Sequence, residues 1–175
     1  MGGAQWGGLP DGSLGDVATG FVADSSDVGV SSSAANTWRA HGFKVSESIT
    51  ISAVWVKIYK QGNPTDNLEL RIMPDDGTGT KPTGSTPVTN GTATAQSGKL
   101  HSANTNGEWG RFVFPTPPSL TAGTQYHVAL KRSGAVDASN YWSWKAYVNG
   151  GMYPHGTRSN GDGTPTWTTD TGYKA

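Results

Sequence analysis

The sequence predicts an all-β protein: an antiparallel two-sheet β-sandwich of jelly-roll type with an extended N-terminal arm. Three observations predict it. The chain carries 25 glycines and 10 prolines with only 34% hydrophobic residues, too many turn formers for a helical domain. Regularly spaced Trp, Tyr, Ile and Val still exclude a chain unable to build a core. The apolar residues fall in short runs that alternate with polar ones, the period of a strand with one buried face. No helix-period segment separates these runs, so parallel pairing would lack its crossovers, and about eight short strands are expected to pair antiparallel. The 175 residues suffice for one domain with its own core, and a sandwich is preferred to a closed barrel.

Taken in order, residues 1–36 are of low complexity, with Gly7-Gly8-Leu9-Pro10-Asp11-Gly12 and Ser31-Ser32-Ser33 around one expected strand, Val17 to Val22. They read as an arm or peripheral strand, either unpacked or docked onto a neighbouring subunit. The sandwich domain is expected over 37–175. Ala40 to Val45 is expected as a strand, and Ser48 to Lys60 as the strongest one. Its apolar phase slips at Ser52-Ala53, which predicts a β-bulge. Beyond that slip Val54, Val56 and Ile58 share one face, while Trp55, Lys57 and Tyr59 share the other. A turn at Gln61-Gly62-Asn63-Pro64-Thr65 leads to a half-buried strand of Leu68, Leu70 and Ile72. Residues 74–87 form a long loop, followed by a Thr-rich strand from Pro87 to Ala95, and Asn106-Gly107 then precedes Trp109 to Phe114. Leu120-Thr121-Ala122-Gly123-Thr124 makes a corner. In the next strand Tyr126, Val128 and Leu130 face inward and His127 faces the surface. An aromatic strand at 140–147, an irregular Gly-rich loop and a short strand ending at Tyr173 complete the chain.

Composition narrows the function classes. Thirteen basic and thirteen acidic residues are scattered to a net charge of zero, so no basic stripe is available for a nucleic-acid backbone. No apolar run approaches the ~20 residues that span a bilayer, so no membrane partner is expected. Residues 1–8 lack the charged and apolar regions of a secretion signal, and Trp6 stands where an acylation motif wants Ser or Thr. The absence of cysteine removes disulfides, thiolate chemistry and Cys-based zinc sites. His41, His101, His127 and His155 have no metal-ligand spacing. Glu47, Glu69 and Glu108 form no glycosidase-like pair, so no enzyme activity, no catalytic residue, no metal site and no cofactor are expected. Asp75-Asp76-Gly77-Thr78-Gly79 and Asn160-Gly161-Asp162-Gly163 are oxygen-rich enough to keep a structural calcium as an alternative, but both are ordinary turn chemistry. Asn90-Gly91-Thr92 reads as a turn rather than a glycosylation site.

Several motifs stand in a familiar order: Phe43-Lys44-Val45 before Ile49-Thr50-Ile51, Gly62-Asn63-Pro64-Thr65 before Leu68-Glu69-Leu70, then Lys81-Pro82-Thr83-Gly84. Trp109-Gly110-Arg111-Phe112 follows, then Leu120-Thr121-Ala122-Gly123-Thr124-Gln125-Tyr126, Asn140-Tyr141-Trp142-Ser143-Trp144, Tyr153-Pro154 and Trp167. From Phe43 to Tyr173 this set resembles the jelly-roll domains of phage virion proteins and bacterial surface proteins, the choice-of-anchor domains that look like carbohydrate-binding modules. The resemblance implies attachment or assembly without a reaction. The expected protein is a phage virion structural subunit (head decoration, tail or fibre), made in the host cytoplasm and located in the virion. Its expected partners are other virion subunits, as a homo-oligomer, and cell-surface polysaccharide. The alternative is a carbohydrate-binding module of a secreted or cell-surface protein.

Two sets of site residues follow. In an extended strand Trp142 and Trp144 share a face opposite Tyr141. Trp144 is expected in the core and Trp142 at the surface, where an indole stacks on sugar C–H groups. Trp142, Tyr147, Tyr153, His155, Arg158 and Trp167 are therefore the glycan-site candidates, with Asn149, Asn160 and Asp162 in the same segment. Trp6, Phe21, Trp55 and Tyr59 are the interface candidates, because an exposed Trp-Lys-Tyr face is unusual on a free monomer.

Overall fold

The computed structural model describes residues 6–8, 14–16, 26–30, 32–34, 37–95, 107–146, 157–162 and 166–174. These contain fourteen strands and no α-helix. The strands are β1 (Trp6–Gly8), β2 (Leu14–Asp16), β3 (Ser26–Val30), β4 (Trp38–Lys44), β5 (Ile49–Thr50), β6 (Ala53–Gln61) and β7 (Leu68–Pro74). They continue with β8 (Thr92–Ala95), β9 (Glu108–Val113), β10 (Ser119–Leu120), β11 (Gln125–Arg132), β12 (Tyr141–Ala146), β13 (Thr157–Gly161) and β14 (Trp167–Lys174).

Every paired strand runs antiparallel. One sheet has six strands in the order β14, β13, β4, β11, β7, β8, and the other has four in the order β3, β12, β6, β9. Two short pairs, β1 with β2 and β5 with β10, complete the set. The inner faces of the two large sheets meet in a core of Val30, Phe43, Val56, Ile58, Leu68, Leu70, Ile72, Phe112, Leu130, Trp142 and Trp144 with their neighbours. The fold is thus the expected all-β, antiparallel two-sheet sandwich.

Several elements depart from expectation. The long strand from Ser48 breaks into β5 and β6, because Ile51 N–H donates to the Pro118 carbonyl and the Ser52 carbonyl accepts from Phe114 N–H. The phase slip marks that break. The strand expected from Pro87 begins only at Thr92, since Gly91 N–H turns back to Val88 O and Asn90 takes φ 63°. Val17 to Val22 lies outside the described residues. Residues 1–36 contribute β1, β2 and β3, of which β3 forms the edge of the four-stranded sheet. Residues 157–161, expected within an irregular loop, form β13 in the middle of a ladder.

A second, smaller core of Trp38, Ala40, Met73, Ala129 and Trp167 sits on the outer face of the six-stranded sheet. The loop after β7 crosses this face. Trp167 Nε1 donates to Gly84 O at 2.7 Å, Thr157 Oγ1 to Gly79 O at 3.3 Å and Thr169 Oγ1 to Thr80 Oγ1 at 3.2 Å. From β7 to β14 is four strand spacings, roughly 19 Å, so the loop roofs β11 and β4 on its way. That roof corrects the expectation for His127, which is 0% exposed. The side chain does point away from the main core, but Asp75 Oδ2 lies 2.8 Å from its Nε2 under the loop.

Candidate functional site

The outer face of the four-stranded sheet gathers a different chemistry. Strand alternation sends Val54, Val56 and Ile58 of β6 into the core, so Trp55, Lys57 and Tyr59 point the other way. Phe112 of β9 is buried, which turns Trp109, Arg111 and Val113 outward; Trp142 and Trp144 of β12 are buried, which turns Tyr141 and Ser143 outward. The register sets Trp55 opposite Arg111, Lys57 opposite Trp109, Tyr59 opposite Ser143 and Gln61 opposite Tyr141. Two successive rungs between β6 and β9 thus each pair one indole with one cation, and the order reverses from rung to rung. The Arg111 guanidinium lies 5.7 Å from the centroid of the Trp55 ring, within cation–π range.

This face is graded in exposure. Arg111 and Val113 are exposed, Val113 by 50%. Trp55, Lys57, Trp109 and Tyr141 are half-buried. At the other end Tyr59 is 5% exposed and Ser143 is buried. Chain after β3 packs back here: a Cβ on Gly29 would come within 2.6 Å of Ser32 Oγ and 3.0 Å of the Tyr141 ring. Among the described side chains of this face there are two cations, Lys57 and Arg111, and no carboxylate.

The glycan candidates separate. Trp142 was expected at the surface and is 1% exposed, a core side chain on the same face as Trp144. The reason is parity: two residues apart on one strand they cannot divide between core and surface. Arg158 is buried, with its guanidinium on Asp170 Oδ2, and points toward the sandwich interior beside His41, its partner across β4. Trp167 is buried on the opposite face, edge-on to Trp38 with ring centroids 5.9 Å apart. Neither is placed to form an exposed glycan site with the other or with Trp142. Tyr147, Asn149, Tyr153, His155 and Phe21, like the side chain of Trp6, lie outside the described residues. Of the interface candidates Trp55 and Tyr59 do face outward, but Tyr59 is covered.

Trp109, Arg111 and Tyr141 were not picked out as site residues, although the signal was present. The alternation of Trp109, Arg111 and Val113 with Phe112 and Phe114 puts them on the non-core parity, and Tyr141 lies opposite Trp142 and Trp144. Which strands sit beside β6 is what brings them together, and pairing partners are not written in any one segment.

The buried titratable groups elsewhere serve the fold. His41 packs against Trp144, ring centroids 4.3 Å apart. Burial, reinforced by the Arg158 and Arg39 charges, pushes its pKa down to about 3, so it is neutral. Arg39 donates from Nε to the Gly29 carbonyl at 2.9 Å and from its Nη1 to Asn160 Oδ1, tying the six-stranded sheet to the edge strand of the other. Burial, then Arg158, lowers its pKa to about 10, leaving it cationic at neutral pH. Burial also lowers the His127 pKa, against the opposing pull of Asp75. The two oxygen-rich segments have other tasks. Asp75 Oδ1 accepts from Gly77 and Gly79 N–H while Oδ2 meets His127, and Asn160 belongs to β13. No group of three or more His, Cys, Asp or Glu side chains able to hold a metal occurs among the described residues. No family model, curated protein or solved structure matches the chain.

Proposed function

We propose that the protein is a non-enzymatic structural subunit of a phage virion that attaches to cell-surface polysaccharide through the outer face of its four-stranded sheet. The observation that carries the attachment role is the pair of indole–cation rungs, Trp55 with Arg111 and Lys57 with Trp109, beside Tyr141. Flat aromatic faces offer stacking surfaces to sugar C–H groups, and neighbouring cations and hydroxyls supply hydrogen bonds. The virion setting rests on the motif order from Phe43 to Tyr173, which resembles virion and surface jelly-roll domains. Repeated copies on one particle would turn weak single contacts into firm attachment.

A carbohydrate-binding module of a secreted or cell-surface protein is the second reading, and one observation favours it. The β3 edge is capped at the Gly29 carbonyl by Arg39. The β14 edge has a register shift against β13 and an inward-facing Asp170 paired to Arg158. Irregular edges with inward charges resist strand addition between copies, which suits a module that works singly. Native mass measurement with affinity electrophoresis in host-cell polysaccharide tests both. A retarded oligomer is expected, a retarded monomer would favour the module, and absence of retardation would remove the attachment role from either.

A further inference from the structure

Resting on that attachment role, we infer that the ligand is an acidic polysaccharide, bearing uronate or sulfate groups, that lies across the β6–β9 rungs. Along β6 the outward residues run Trp55 then Lys57, about 6.8 Å apart. Along β9, antiparallel to it, the residues opposite them run Arg111 then Trp109. An indole and a cation therefore alternate both along each strand and across the pair. A neutral glycan would use the two indoles and leave the exposed Arg111 guanidinium outside the contact. A chain of acidic sugars presents an apolar ring face and an anionic group within one residue, which is the combination each rung offers.

Charge complementarity supports this choice. Arg111 is exposed, and among the described residues it touches the Trp55 ring without an ion pair. Its planar fork can take a carboxylate or sulfate in a bidentate bond. No carboxylate stands among the described side chains of the face. Single-stranded nucleic acid also joins stacking to negative charge. Its binding grooves, however, track a backbone with many cations, and the described side chains of this face include two, on a chain of net charge zero.

The experiment uses the full chain in affinity electrophoresis against alginate, heparin, neutral dextran and an oligothymidylate, at low salt and at about 0.5 M salt, where charge attraction between exposed groups is screened. Retardation by alginate or heparin that fades at high salt, with dextran inert, is expected. Arg111→Gln should weaken it about tenfold or more, the usual scale for a hydrogen bond to a charged group, with an unchanged melting temperature. Trp55→Ala should weaken it as well. Equal retardation by dextran, or binding that salt leaves untouched, overturns the acidic ligand while leaving attachment standing. Preference for the oligothymidylate, or a dimer that Trp55→Ala splits, overturns it in favour of another occupant. Binding to no polysaccharide overturns both.

Discussion

Trp142→Ala separates a core indole from a binding indole. Trp142 is 1% exposed, sits in the inter-sheet core and has the Lys60 Nζ 5.2 Å from its ring centroid. A buried indole removes roughly 150–250 Å² from water. Truncation to Ala forfeits about 150 Å² of that, and at ~25 cal/mol per Å² the loss is about 4 kcal/mol, inside the range of roughly 3–5 kcal/mol for Trp→Ala in cores. For a chain of this size that lowers the melting temperature by about 8–16 °C. With a urea slope of about 2 kcal/mol/M it moves the denaturation midpoint down by about 2 M. Urea titration followed by far-ultraviolet circular dichroism reads this without relying on the other indoles. Trp142→Phe should cost far less, because the Trp142 Nε1 has no hydrogen-bond partner among the described residues to lose. A Trp142→Ala protein whose midpoint stays within about 0.3 M of the parent, yet no longer binds polysaccharide, would refute the assignment of this strand face to the core.

Other outcomes follow from the buried ion pair, the histidines and one turn. Arg132 donates from Nε and Nη2 to the two oxygens of Asp66, at 2.7 and 2.8 Å, and Gly134 N–H adds a third bond. Asp66→Ala strands a guanidinium that is 7% exposed and should cost about 3–5 kcal/mol in the same titration. Adding Arg132→Met should recover part of that loss. His41 has its pKa depressed to about 3 in the folded state against about 6.5 unfolded. Below pH 6.5 the unfolded chain therefore binds a proton that the native one refuses, and stability falls as pH falls. This one group should remove about 2 kcal/mol between pH 7.5 and pH 5, with His127 acting in the same direction, and His41→Leu should flatten the profile. Gly62 has φ 67° and a built Cβ would lie 2.3 Å from Ser139 O. Gly62→Ala should lower stability by at least ~2 kcal/mol, which thermal unfolding will show.

Three of the motifs picked out in the sequence form a corner and a turn in this fold. Gly62-Asn63 meets Asn140, whose Oδ1 accepts from Asn63 N–H at 2.9 Å, so two motifs far apart in sequence form one corner. The Tyr126 hydroxyl accepts from Thr121 N–H at 3.1 Å, closing the Leu-Thr-Ala-Gly-Thr turn on its own strand. Their chemistry serves turns and corners, and of the glycan candidates within the described residues Trp142, Arg158 and Trp167 are all buried. Arg158 and Trp167 show the same limit: a polar or aromatic residue in a Gly-rich stretch looks exposed until a strand forms through it.

By itself the sequence determined the all-β class, the antiparallel pairing and the core-facing side of β6, β7 and β11, because side-chain alternation is a local property of the extended backbone. It also determined that Trp55 and Tyr59 turn away from Val56 and Ile58. Only the tertiary structure decided that Arg111 and Trp109 stand opposite Trp55 and Lys57 and that the loop after Pro74 buries His127. Those outcomes depend on which strands lie side by side and what crosses over them, and pairing of distant segments is chosen by the packing of the whole chain.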